Sequence, residues 1–212
     1  MDIKNYLDST YLKKPEQAGL NSTENTEKVK DFIQEAIEHQ FKLIMIRPDH
    51  VALAKEMIVK AHSKVTIGTV ISFPEGTNTL EEKLAEAQTA IDNGADDLDF
   101  VCNYKAFIDG DLETVKTEIL QGTALGLQHN KIVKWIIEVA ALNEKQIIQI
   151  CSLIKKIVIS NFKEELYQNV YVKSSTGFYV TENNLPNGAT IPAIIMMLEN
   201  ASPLSIKAAG GV

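Results

Sequence analysis

Val170–Gly177 reads VYVKSSTG. Its first half is β-branched and aromatic, the character of a buried parallel strand, and its second half is a Ser-Ser-Thr-Gly turn. Lys173 stands where the two meet, with no carboxylate beside it in sequence. Burying an ammonium group in such a strand is costly, and the usual relief is a pKa that falls toward neutrality. A neutral lysine amine attacks carbonyl carbon. The stretch by itself is equally compatible with a lysine that lays its stem along the strand and keeps its charge in water.

The same strand-then-helix phrase recurs on both sides of this stretch. Upstream, Asn5–Leu12 reads as a short strand, and Asn21–Glu24 offers cap residues for a helix to about His39. Phe41–Ile46 is an apolar strand, and Pro48 opens a helix carrying Val51, Ala54, Met57, Ile58 and Ala61 on one face. Val65–Ser72 is the next strand. Asn78 with Glu81 resembles a capping pair for a helix that shows Leu80, Leu84, Ala87 and Ile91. Leu98–Asn103 is a strand followed by a helix over Leu112–Leu127, weakened by Gly122 and Gly126. Ile132–Ala140 is a strand, and Asn143 with Gln146 caps a helix with Ile147, Ile150, Cys151, Ile154 and Val158. Ser160–Gln168 is a polar insert, a continued helix or a loop. Downstream come a long loop through Asn187-Gly188, a helix over Ile191–Leu198 and a strand over Leu204–Ala208.

No linker divides this series, so residues 1–212 are expected to form a single domain of β-α repeats. Such repeats require parallel strands with right-handed crossovers, in an open doubly wound sheet or a closed (β/α) barrel. Periodicity does not choose between them. Residues two apart share a strand face, and on that rule four strands each carry an ionisable group within an apolar run: Asp99, Lys134, Lys173 and Lys207. One such residue reads as a salt-bridged or water-seeking side chain. Four on separate strands point to a shared pocket. A barrel gathers its strand ends around one mouth, which favours it over the open sheet. Three lysines and an aspartate there would keep one amine neutral among cationic neighbours. Gly177 and the pair Gly210-Gly211 follow two strand ends and offer backbone N–H groups to a phosphate.

The 212 residues are 45% hydrophobic and 23% charged, a globular balance, and the formal charge of -7 is spread without a basic stripe, against nucleic acid as a partner. Cys102 and Cys151 show no C-x-x-C spacing, which fits a reducing, cytoplasmic setting. The N-terminus has no signal-peptide core, and no run approaches 18 apolar residues, against a membrane span. His39, His50, His62 and His129 lack metal-site spacing, so no metal or other cofactor is expected. There is no G-x-G-x-x-G, Walker loop or G-x-S-x-G elbow, and Ser174 and Ser175 have no triad partner.

These residues resemble the deoxyribose-phosphate aldolases, Schiff-base (class I) aldolases built on a (β/α)8 TIM barrel. The resemblance spans nearly the whole chain: LDSTYLK at Asp8, IRPDHVALAK at Arg47, TVISFPEGTNTLEEKLAEA at Ser72, NGADDLDFV at Asp99, VKWIIE at Lys134, VYVKSSTGF at Lys173 and SIKAAGG at Lys207. It implies reversible cleavage of 2-deoxy-D-ribose 5-phosphate to D-glyceraldehyde 3-phosphate and acetaldehyde. By the same resemblance Lys173 is the Schiff-base lysine, with Asp99 and Lys207 relaying protons and tuning it. Asp8, Thr10, Lys134 and Thr176 are further substrate-binding residues, and Gly177, Gly210 and Gly211 hold the phosphate. A homodimer or tetramer is implied as well. The sequence stops at Val212, just after the seventh strand's Gly-Gly, so the eightfold pattern is expected to lack its last helix and strand. A non-catalytic sugar-phosphate-binding fragment and another Schiff-base aldolase or transaldolase are the competing readings.

Overall fold

The computed structural model describes residues 3–210. Seven strands alternate with helices among them: β1 (Asp8–Tyr11), β2 (Leu43–Ile46), β3 (Thr66–Ile71), β4 (Asp97–Val101), β5 (Ile132–Ile136), β6 (Val170–Lys173) and β7 (Ser205–Lys207). The helices are α1 (Pro15–Ala18), α2 (Ser22–His39), α3 (Val51–Lys60), α4 (Leu80–Asp92), α5 (Tyr104–Ile108), α6 (Leu112–Gln128), α7 (Glu144–Asn161) and α8 (Ile191–Ala201). The strands form one sheet in the order β1-β2-β3-β4-β5-β6-β7, the topology of consecutive β-α units. By contact density the chain falls into two compact units, Met1–Val70 with Gln88–Leu98, and Ile71–Ala87 with Asp99–Val212.

In the first unit β1, β2 and β3 run parallel, with Asp8 opposite Leu43 and Met45 opposite Gly68. The expected strand Asn5–Leu12 is shorter because its first residues wind into a 3-10 turn over Ile3–Tyr6. Asn21 and Glu24 close a reciprocal capping box at 2.9 Å each way, which fixes where α2 begins. Val29, Ile33 and Ala36 bury the inner stripe of that helix, and the Tyr11 hydroxyl donates to buried Asn25 at 2.7 Å, tying β1 to α2. Pro48 opens a 3-10 turn, and the α-helix proper starts three residues later at Val51.

The second unit holds the remaining chemistry. Here β5, β6 and β7 pair in parallel, placing Ile136 opposite Lys173 and Lys173 opposite Lys207. Alternation sorts β4 and β5 as the sequence suggests. Phe100 and Trp135 leave on one face and stack at 4.9 Å, while Asp99 and Lys134 leave on the other. Gly122 in α6 is a contact residue: a Cβ there would stand 2.9 Å from the Trp135 ring, and Thr123 accepts the indole N–H at 2.9 Å. The capping box of Asn143 and Gln146 starts α7 as expected.

Several boundaries differ from the sequence reading. The α4 cap is Thr79 with Glu82, one residue beyond Asn78 and Glu81, because Asn78 is occupied by Ser72 at 2.7 Å. The strand expected over Ile132–Ala140 ends at Ile136, since Glu138 turns to φ 53° and Val139–Ala141 is a 3-10 turn. An additional helix, α5, is capped by the Asn103 side chain on Ala106 N–H. The polar insert splits between the last turns of α7 and a 3-10 stretch over Glu164–Asn169.

Lys83 is 1% exposed, on the face of α4 that the apolar spacing assigned to Leu80, Leu84, Ala87 and Ile91. Its ammonium donates to Glu118 at 2.5 Å and to the Val101 carbonyl at 3.0 Å, and Glu118 also accepts Asn103 N–H at 2.6 Å. This pair secures the end of β4 from behind. Removing one partner leaves an uncompensated buried charge, which costs about 3–5 kcal/mol. Lys83→Met should therefore lower the urea midpoint by that equivalent, and Lys83→Met/Glu118→Met should lie closer to the parent than Lys83→Met does.

Candidate active site

Three strands of the second unit converge on one carboxylate. Asp99 on β4 is 0% exposed, and it accepts from Lys134 on β5 at 2.8 Å and from Lys173 on β6 at 2.7 Å, one oxygen to each. Both lysines are buried. The carboxylate that the sequence does not place beside Lys173 thus arrives from 74 positions earlier. Lys207, partly exposed on β7, sits at the register position next to Lys173. Burial alone would push the Asp99 carboxyl up; the charges of Lys134 and Lys173, and their hydrogen bonds, outweigh it and hold the pKa below its ordinary value.

Beyond Lys173 the chain turns. Ser174 N–H donates to the Lys207 carbonyl at 3.1 Å, and the Ser174 hydroxyl spans to Ala209, donating to its carbonyl and accepting its N–H at 2.8 Å each. These bonds hold the ends of β6 and β7 side by side. Thr176 is buried, and its N–H and hydroxyl both donate to Glu138, at 3.1 and 2.5 Å. Gly177 and Gly210 both have positive φ, 77° and 83°, and a Cβ on Gly177 would stand 3.7 Å from Gly210 Cα. Gly211 lies outside the described residues.

The loop after the turn is pinned to the same place. Asn187 donates to the carbonyls of Gly177 and Tyr179 at 3.3 and 3.4 Å, and Ala189 N–H donates to Gly210 at 3.0 Å. A Cβ on Gly188 would fall 2.0 Å from the Gly210 carbonyl oxygen. Phe178 packs edge-on against Phe73, and Tyr179 against Tyr104, whose phenol burial pushes up to about 12. With the starts of α7 and α8, this loop encloses a cleft of about 690 Å³ whose lining includes Gly188 but none of Asp99, Lys134, Lys173 or Lys207.

The second unit therefore brings together Asp99, Lys134, Lys173, Lys207, Thr176, Gly177 and Gly210 from the sequence-derived set. Asp8 and Thr10 belong to the first unit, where they share a face of β1 and the Thr10 hydroxyl donates to the Asp8 carbonyl at 3.3 Å. Glu138, Ser174, Asn187 and Gly188 were not singled out by sequence. The only signal for Glu138 in the sequence is a carboxylate near the tail of the apolar run that begins at Ile132. Among the described residues no group of His, Cys, Asp and Glu stands ready to hold a metal ion, and no helix is long and apolar enough to cross a membrane.

A carboxylate shared by two buried lysines on consecutive parallel strands, one in mid-strand and one at a strand end, with a glycine cluster alongside, is a site suited to carbonyl chemistry through an amine. The model of the DeoC/LacD family aldolases matches residues 5–147, and the chain belongs to that family. Among its relatives, the deoxyribose-phosphate aldolase of Thermococcus gammatolerans is 33% identical over all of this chain and 84% of its own length. That of Brevibacillus brevis is 35% identical over the same shares. A solved structure of deoxyribose phosphate aldolase from Aeropyrum pernix, described as a unique tetrameric structure, superimposes with a TM-score of 0.75 at 26% identity, covering 100% of this chain and 78% of that one.

Two outcomes follow from the geometry. Because the folded carboxyl of Asp99 lies below its unfolded value, its stabilisation is complete above that value and is lost as pH falls through the folded pKa. Unfolding midpoints measured from pH 7 downward should show this acid limb in the parent and a shallower one in Asp99→Asn. Gly188→Ala, which forces a methyl group against backbone, should cost about 1–3 kcal/mol in the same assay.

Proposed function

We propose that this chain is a deoxyribose-phosphate aldolase that cleaves 2-deoxy-D-ribose 5-phosphate reversibly to D-glyceraldehyde 3-phosphate and acetaldehyde through a Schiff base on Lys173. The observation that carries the reading is the buried Asp99 carboxylate bonded to Lys134 and Lys173 together. Residues 1–212 act in this reading as one (β/α) barrel domain of the eightfold type.

The Lys173 amine, parted from Asp99 and stripped of its proton, adds to the aldehyde carbon C1. The carbinolamine loses water to give an iminium. A base takes the proton of the C3 hydroxyl, the C2–C3 bond breaks, and its electron pair passes into the iminium to form an enamine while glyceraldehyde 3-phosphate leaves. Protonation of the enamine at C2 and hydrolysis then release acetaldehyde and the lysine. The iminium supplies the electron sink for this cleavage. Asp99, acting through water, and Lys207 are the proton carriers. Lys134 holds Asp99 in place when Lys173 departs and, with Thr176, binds substrate, while Asp8 and Thr10 are assigned substrate-binding roles by the family resemblance alone. Gly177, Gly210 and Gly211 take the phosphate. A homodimer or tetramer in the cytoplasm completes the reading, supported by the tetramer named for the Aeropyrum pernix structure.

Borohydride reduction in the presence of 2-deoxyribose 5-phosphate, followed by peptide mass spectrometry, should place the reduced adduct on Lys173. Lys173→Ala should abolish turnover and adduct alike; near-normal turnover in that variant would overturn the assignment. Asp99→Asn and Lys207→Leu should each lower kcat by roughly 10²- to 10⁴-fold, the usual worth of a positioned proton carrier. A panel of other phosphorylated sugars separates this activity from that of other Schiff-base aldolases.

A further inference from the structure

Glu138 takes no part in the scheme above, yet it is held from several sides. It is 1% exposed and its backbone lies at φ 53°, ψ 70°, in the left-handed region that residues with a side chain seldom occupy. Both donors of Thr176 converge on its Oε2. The Thr176 oxygen in turn accepts Phe178 N–H at 3.0 Å, while Val139 N–H donates to the Ser174 carbonyl at 2.9 Å. The N–H groups of residues 174, 176 and 178 are thereby all drawn into the protein. Gly177 between them is exposed, and neither its N–H nor that of Gly210 meets an acceptor among the described residues.

We propose that Glu138 is the positioning residue of the phosphate subsite: by holding both donors of Thr176 it sets the turn so that the Gly177 N–H, beside Gly210, is left for the substrate's phosphate. The inference rests on the aldolase reading for its ligand. It also changes what Thr176 does, since a hydroxyl that gives its proton to Glu138 and accepts Phe178 N–H acts on substrate through the turn it fixes. Burial pushes the Glu138 carboxyl up, against the hydrogen bonds from Thr176. Oε1 of Glu138 and the hydroxyl of Ser175 are both buried, and neither makes a well-formed hydrogen bond among the described residues, although Ser175, like Thr176, acts to lower the Glu138 carboxyl. An amide at position 138 could accept from Thr176 with its oxygen and donate with its nitrogen.

The test is a titration with inorganic phosphate followed by the amide resonances of Gly177 and Gly210 in the parent, Glu138→Gln and Glu138→Ala. Saturable shifts are expected in the parent and in Glu138→Gln, with affinity about tenfold weaker or more in Glu138→Ala, as for loss of hydrogen bonds to a charged group. In turnover, Glu138→Ala should raise KM for 2-deoxyribose 5-phosphate by a similar factor and leave kcat/KM for unphosphorylated 2-deoxyribose nearly unchanged. Equal phosphate affinity in parent and Glu138→Ala overturns the proposal, as does a Glu138→Gln no better than Glu138→Ala or an equal loss with both sugars. Should Glu138→Ala fail to fold, Thr176→Val, which removes the hydroxyl half of the clamp, is read by the phosphate titration alone: affinity weaker by about tenfold is expected, and affinity equal to the parent's overturns the proposal. Borohydride trapping with acetaldehyde, which carries no phosphate, tests Lys173 separately: its failure in the parent removes the aldolase reading, while the phosphate titration still judges Glu138.

Discussion

A carboxylate with no exposure to water needs partners for both oxygens, and Asp99 has one ammonium group on each. That requirement ties three strands to one another at this point. β4 supplies the anion, β5 and β6 supply the cations, and the register that sets Lys134 opposite Tyr171 and Ile136 opposite Lys173 puts the two lysines on one face, two residues apart in height. The arrangement is most costly to disturb at the carboxylate, because loss of Asp99 leaves two buried ammonium groups without their counter-charge. With Lys134 bonded to one oxygen, Asp99 would keep a partner were its bond to Lys173 lost, so that loss alone does not strand the anion.

Support for this trio comes from the opposite face of the same strands. Phe100 and Trp135 stack behind Asp99 and Lys134, Gly122 gives the indole room, and the Lys83–Glu118 pair grips the carbonyl and N–H groups just past β4. The cysteines belong to this structural side. Both are buried and free, and burial pushes the Cys151 thiol up to about 12 and that of Cys102 well above its usual value, with Glu118 adding to the latter.

Strand alternation made Asp99, Lys134, Lys173 and Lys207 legible in sequence, because a charge inside a short apolar run is too costly to keep unless something faces it. What alternation does not contain is which charge meets which: the bond from Asp99 to Lys173 closes across 74 positions, and only the packed strands create it. Lys83 is hidden for a related reason. A lysine in an amphipathic helix reads as solvated until a distant partner such as Glu118 neutralises it. Glu138 reads as the tail of a strand, since a left-handed backbone has no marker in sequence when the residue is not glycine. Gly188 looks like an ordinary Asn-Gly turn, and its need for bare backbone is set by Gly210, 22 positions on.

The loop between Gly177 and Gly188 is anchored to its surroundings at its two ends, while its middle bonds to itself, the Thr181 hydroxyl donating to the Leu185 carbonyl and Leu185 N–H to the Glu182 carbonyl. Asn187 and Gly188 grip the glycine cluster, and Phe178 and Tyr179 rest on Phe73 and Tyr104, whereas Val180 is 89% exposed and Leu185 62%. Such a segment behaves as an interchangeable cassette. Its central residues can lengthen, shorten or be replaced by a foreign sequence, and so recast the rim of the cleft, while the four anchoring positions preserve the register of everything beneath.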